Sequence, residues 1–76
     1  MNALHIRTEG MHCDACPPRI EREVEQLPGV AAARAWRSLH LTSVLFDPDR
    51  IDPKAIRDRI AAAGFRVHVF DERRLH

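Results

Sequence analysis

An α+β fold, a four-stranded antiparallel sheet with two helices on one face, is predicted by three features of the 76-residue sequence. Apolar side chains alternate with polar ones near the start, the middle and the end of the chain, which is the period of half-buried strands. Between them lie two stretches with apolar residues at helical spacing. Glycine and proline separate the pieces, so the order reads strand–helix–strand twice over. Two such units interleaved bury both helices against one sheet face. No linker or low-complexity tract divides the chain, and residues 1–76 are read as a single domain.

The first strand carries Leu4, Ile6 and Thr8 on one face and His5, Arg7 and Glu9 on the other. Gly10 ends it, and a loop with the only two cysteines, Cys13 and Cys16, follows. Helix one then places Ile20, Val24 and Leu27 inward and Glu21, Arg22, Glu23 and Glu25 outward. Arg19 and Glu23 are spaced for an i,i+4 pair, and Pro28-Gly29 stops the helix. Strands two and three are expected over Val30–Trp36 and Leu41–Phe46, with Asp47-Pro48 closing the latter. The turn between them, Arg37-Ser38-Leu39-His40, lacks Gly or Asn, so its type is not readable. Helix two has the fuller signals: Asp52 as N-cap, Pro53 at the first helical position, and Ile51 and Ile56 spaced as a hydrophobic staple. Ile56, Ile60 and Ala63 form its inner face, Gly64 its C-terminal cap, and Phe65 to Phe70 the last strand.

Composition excludes several functions. Hydrophobic residues are 45% and charged residues 30%, an ordinary folded balance, and the formal net charge of +1 offers no electrostatic footprint for nucleic acid. No apolar run approaches the roughly 18–20 residues of a membrane span, and no basic-then-apolar segment opens the chain. A cytoplasmic location is therefore expected. In that reducing compartment a close cysteine pair points to redox or metal chemistry rather than a structural staple, and so short a disulfide loop would remove little chain entropy.

Three uses of Cys13-x-x-Cys16 compete. The spacing before a helix is similar to a thioredoxin motif, but that fold needs a longer chain, and here the prolines follow the second cysteine instead of separating the two. A closed zinc site needs four ligands. His12 and Asp14 are local candidates, while His5, His40, His68 and His76 show no H-x3-5-H spacing. A soft ion that accepts two-coordinate geometry, Cu(I) or Hg(II), is completed by two thiolates alone. The helix N-terminus, with partial positive charge and unpaired N–H groups, would favour the thiolate forms, and an exposed loop leaves a side open for a partner's thiol.

"GMHCDAC" resembles the G-M-x-C-x-x-C motif of the heavy-metal-associated domain family: small soluble metallochaperones and the N-terminal metal-binding domains of metal-transporting P-type ATPases. The likeness spans the chain, through "EGM", "LPGV", "VLFDPDRI" and "AAAGF". It implies the ferredoxin-like βαββαβ fold, metal binding through Cys13 and Cys16, and transfer of one ion, with Cu(I) expected and Zn(II), Cd(II) or Hg(II) as alternatives. It implies Met11 packed under the loop and Phe65 beside it. The implied partner is a metal-transporting P-type ATPase or its metal-binding domain. With no catalytic constellation in the chain, the resemblance implies a binding module and not an enzyme. The alternatives are a metal-binding domain cut from an ATPase or from a mercuric reductase, and, more distantly, a small thiol oxidoreductase.

Three departures from the family pattern carry expectations. Pro17-Pro18 follows Cys16, so helix one should begin near Pro17 with Cys16 at its edge. Asp14 and His12 flank the cysteines; a carboxylate there argues for a divalent ion, unless Asp14 caps the helix. Ala33 and Ala35 replace larger inward residues, while Trp36, Leu41 and Leu45 fall on the outer sheet face, a patch suited to self-association or docking. A strand register shifted by one would bury Trp36 instead. His5 and His68 share that outer face on neighbouring strands, as surface residues or a second metal site.

Overall fold

The structure is a computed structural model that describes the backbone of residues 1–74 and the side chains of residues 1–68. His76, one of the histidines weighed as a ligand, lies outside the described residues. The order is β1 (Asn2–Glu9), α1 (Cys16–Glu25), β2 (Val30–Trp36), β3 (Leu41–Phe46), α2 (Pro53–Ala62) and β4 (Arg66–Arg74). The sheet runs β2-β3-β1-β4, with every neighbouring pair antiparallel. This is the ferredoxin-like arrangement, and the two central strands, β3 and β1, come one from each half of the repeat.

One face of the sheet holds the core. Leu4, Ile6, Val44 and Phe46 from the central strands meet Ile20 and Val24 of α1 and Ile56 and Ile60 of α2, all at 1% exposure or less. Ala33 and Ala35 line the same face of β2, where small side chains let α1 approach closely. Two hydroxyls join this apolar interior: Thr8 and Thr42 are fully buried and hydrogen-bond each other at 3.0 Å, with Thr8 also donating to the Ile6 carbonyl. Pairing removes the penalty of burying them.

Each helix ends for its own reason. Asp52 caps α2 by accepting from the Lys54 N–H at 2.9 Å, with Pro53 in the first turn. Ala63 closes it, and the Gly64 N–H donates to the Ala61 carbonyl. The α1 end lies at Gln26, two residues ahead of the proline that was expected to stop it. The expected Arg19–Glu23 pair does not form. Glu23 instead receives Arg59 of α2 at 3.1 Å, a better use because it fastens the two helices together.

The β2 edge is also fastened to α1, since Glu21 accepts from the Ala35 N–H at 2.9 Å. That occupies an outward-pointing donor which could otherwise recruit another strand. Beyond α1 the chain turns at Gly29, whose φ of +94° is the left-handed region. A Cβ there would stand 3.0 Å from Arg50 Cβ and 3.1 Å from Ile51 Cγ2. Gly29→Ala should therefore lower stability by about 1–2 kcal/mol or more, from backbone strain with crowding added. An unchanged urea midpoint would contradict that packing.

The unreadable turn resolves at His40, a non-glycine residue with φ +50°. Histidine is among the side chains that tolerate this region. Its N–H donates to the Arg37 carbonyl and its own carbonyl accepts from the Thr8 N–H at 2.8 Å, tying the turn to β1. The register that follows pairs Trp36 with Leu41 and puts Thr42, Val44 and Phe46 inward. Trp36 is 41% exposed and Leu45 37%, on the face away from the helices, while Leu41 is half-buried. The one-residue slip is thus excluded. Emission from Trp36, the sole tryptophan, should be red-shifted and readily quenched in dilute protein. A blue-shifted, quencher-resistant band would place the ring in the core.

At the other edge β4 runs past Phe70 to Arg74, pairing along β1 with a bulge between Ile6 and Thr8. No described helix is long and apolar enough to cross a membrane.

Candidate metal centre

Three connections meet at one end of the sheet: the β1–α1 loop with the cysteines, the β2–β3 turn, and the α2–β4 loop. Met11 anchors the first from below, at 5% exposure within the core cluster. Phe65 is 7% exposed and supports the loop's origin, its Cδ1 lying 3.7 Å from where a Cβ on Gly10 would stand. Gly10 itself has φ +103°, so the chain can leave β1 and fold over that ring. Met11 thus packs under the loop and Phe65 lies beside its first residue while also joining the core, the places that the resemblance implied.

On this support the two thiols come together. Cys13 Sγ and Cys16 Sγ are 3.2 Å apart, both free, with Cys13 exposed and Cys16 half-buried against the core. Helix α1 starts at Cys16 with Ala15 as its cap residue, and no side chain caps it. Asp14 is therefore not the cap. Its carboxylate lies instead on Arg37 of the β2–β3 turn, at 2.9 Å.

The expected supply of unpaired N–H groups at this helix end is not there. Pro17 and Pro18 carry none, the Cys16 N–H donates to the Cys13 carbonyl, and the Arg19 N–H to that of Ala15. The Cys16 thiol is nevertheless held below the ordinary cysteine range. The hydrogen bond with the Cys13 thiol contributes most, then the backbone amide of Cys13, with smaller help from the His12 amide and the Arg19 charge against the opposing effect of burial. The neighbouring thiol, helped by the loop's backbone, thus does what the helix terminus was expected to do.

Other donors stay apart. His12 is exposed beside Cys13. His5 and His68 do lie on the outer face, but each is engaged separately: His5 Nδ1 is 2.8 Å from Ser43 Oγ, and His68 Nε2 is 2.8 Å from Glu9 Oε2. The latter contact holds the Glu9 carboxyl below its usual range. Among the described residues no three His, Cys, Asp or Glu side chains gather as a metal cluster would require. No sequence signal marks Arg37, because its partner is 23 residues away across the fold.

A ferredoxin-like domain that presents a pair of free thiols where the β1–α1 loop meets its first helix is the class that the fold and site define. Residues 5–66 match the model of the heavy-metal-associated domain, and the chain belongs to that family. It is 38% identical over 67 residues to the zinc-transporting ATPase of Synechocystis sp., covering 88% of this chain and 9% of that protein. It is 34% identical over 67 residues to the copper chaperone CopZ of Bacillus subtilis, covering 88% of this chain and 97% of the chaperone. The chain spans less than a tenth of the length of the transport ATPases it matches first. Among solved structures, a copper binding domain from HMA7, a P-type ATPase, superposes with a TM-score of 0.85 at 26% identity, covering 93% of this chain and 99% of that domain.

Proposed function

We propose that the protein binds one soft metal ion, Cu(I), through the thiolates of Cys13 and Cys16, and passes it to a second cysteine pair by thiolate exchange. The observation that carries this reading is the donor set: two adjacent sulfurs, that of Cys13 exposed and that of Cys16 half-buried, and among the described residues no further ligands gathered around them. Two soft sulfurs satisfy Cu(I), whereas Zn(II) asks for four ligands. With metal–sulfur bonds of about 2.3 Å, two thiolates on one ion stand roughly 4 Å apart or more. The pair at 3.2 Å must therefore open on loading. Exposed Cys13 can move outward while Cys16, tied to α1 and the core, holds its place.

Transfer then needs no free ion. An incoming partner thiolate bonds to the metal, one of the two cysteine sulfurs leaves and takes up a proton, and a second partner thiolate displaces the other. The protein makes and breaks only metal–sulfur bonds and needs no catalytic side chains. Residues 1–76 act as one metal-binding domain working in the cytoplasm, and the acceptor is a metal-transporting P-type ATPase or its metal-binding domain. The same chemistry serves a free chaperone and a domain of a longer pump, and relatives of both lengths support it.

Zn(II) or Cd(II) is the second reading, favoured by the zinc-transporting relative and by Asp14 standing between the two cysteines in sequence. Anaerobic competition of Cu(I), Zn(II), Cd(II) and Hg(II) against chelators of known affinity decides between them. Tight 1:1 Cu(I) binding with weak Zn(II) binding is the expected result; a preference for a divalent hard or borderline ion would reverse the assignment.

A further inference from the structure

Two residues at the site have no part in the proposed chemistry, and they are joined to each other. Asp14 lies between the cysteines in sequence, a hard oxygen donor next to two soft sulfurs. Arg37 Nη1 donates to its Oδ1 at 2.9 Å from the turn between β2 and β3. Among the described residues, apart from the contact between the two thiols, this is the only side-chain hydrogen bond tying loop residues 10–15 to another element. It crosses an open cleft whose walls include Met11 and His12 on the loop side and Trp36 and His40 on the other.

We propose that Arg37 is a specificity-determining residue of the metal site: by engaging the Asp14 carboxylate it keeps the coordination sphere all-sulfur and so disfavours Zn(II) and Cd(II) relative to Cu(I). The proposal rests on Cys13 and Cys16 being the ligands. A divalent ion bound by two thiolates still lacks donors, and a carboxylate oxygen is an acceptable one. Asp14 can serve only after leaving Arg37, so the stability of the ion pair is subtracted from divalent binding. Cu(I), complete with two sulfurs, has no use for the carboxylate and is unaffected. The pair is exposed, with the Asp14 side chain 100% accessible and that of Arg37 48%. Exposed pairs are weak, which limits the discrimination to about two- to five-fold.

The test is a double-mutant cycle on the reduced protein, with Arg37→Ala, Asp14→Ala and the double variant titrated by Zn(II), Cd(II) and Cu(I) against chelators at low salt. Arg37→Ala should raise Zn(II) and Cd(II) affinity about two- to five-fold and leave Cu(I) unchanged. The same change made on Asp14→Ala should do nothing, and Arg37→Lys should restore part of the wild-type ratio. In about 1 M salt, where the Debye length is about 3 Å, the effect of Arg37→Ala should vanish. Equal shifts for all three ions would mean that Arg37 merely packs the loop, and no shift, or one that persists without Asp14, would also overturn the proposal. Cys13→Ser run alongside separates the two levels. If it loses Cu(I) while Arg37→Ala leaves the metal ratio unchanged, only the role of Arg37 fails; if it binds Cu(I) like wild type, the two-thiolate site fails and the role of Arg37 with it.

Discussion

Cys13→Ser and Cys16→Ser should each abolish tight 1:1 binding of Cu(I), lowering affinity by more than about a hundredfold. Residues that only orient a metal ligand commonly cost about 10–100-fold when removed, so losing one of just two ligands must cost more. A serine hydroxyl is a hard, neutral donor and cannot replace the thiolate. The two variants should also behave alike, because no described donor cluster is available to take over. Wild-type affinity in either would disprove the site. Since Cys13 is exposed and Cys16 only half-buried, both variants should keep the fold, which circular dichroism can verify.

Phe46→Ala should be the most damaging single change to the fold. Phe46 is at 0% exposure on central strand β3, packed among the inward residues of both helices. Removing a buried Phe commonly costs about 3–5 kcal/mol, while a chain of this length is stable by roughly 4–11 kcal/mol in total. A large share of the protein should therefore be unfolded at moderate temperature, seen as a collapse of the urea midpoint. The same core predicts that the metal-free, reduced protein unfolds cooperatively. It differs there from a zinc finger, whose metal-binding energy is its folding energy. Random-coil amide shifts in the metal-free protein would refute this, as would a Phe46→Ala variant of wild-type stability.

Those core positions were legible because they depend on local period. Strands β2 and β3 occupy the spans that alternation marked, and α2 begins at the Asp52-Pro53 signal. The thiol pair was equally legible, since three residues of spacing and the flanking Gly10-Met11 carry it. What the sequence hid depends on residues that meet only after folding. Glu23 had a sound helical neighbour in Arg19, yet Arg59, 36 residues on, took it. Asp14 read as a cap or a ligand because Arg37 was out of view. The turn at 37–40 hid its type because His40 adopts a positive φ that sequence signals assign to Gly or Asn. The thiol environment departs from expectation for a local reason: Pro17 and Pro18 restrict backbone angles and also lack N–H groups, so this helix end offers fewer donors than its position suggests.

X-ray absorption at the copper edge, on reduced protein loaded anaerobically with one equivalent of Cu(I), tests the central claim most directly. The two-thiolate site predicts a first coordination sphere of two sulfur atoms from Cys13 and Cys16, with no nitrogen or oxygen neighbour. A sphere containing imidazole nitrogen or carboxylate oxygen, or one that keeps its sulfur content in Cys13→Ser, would contradict it.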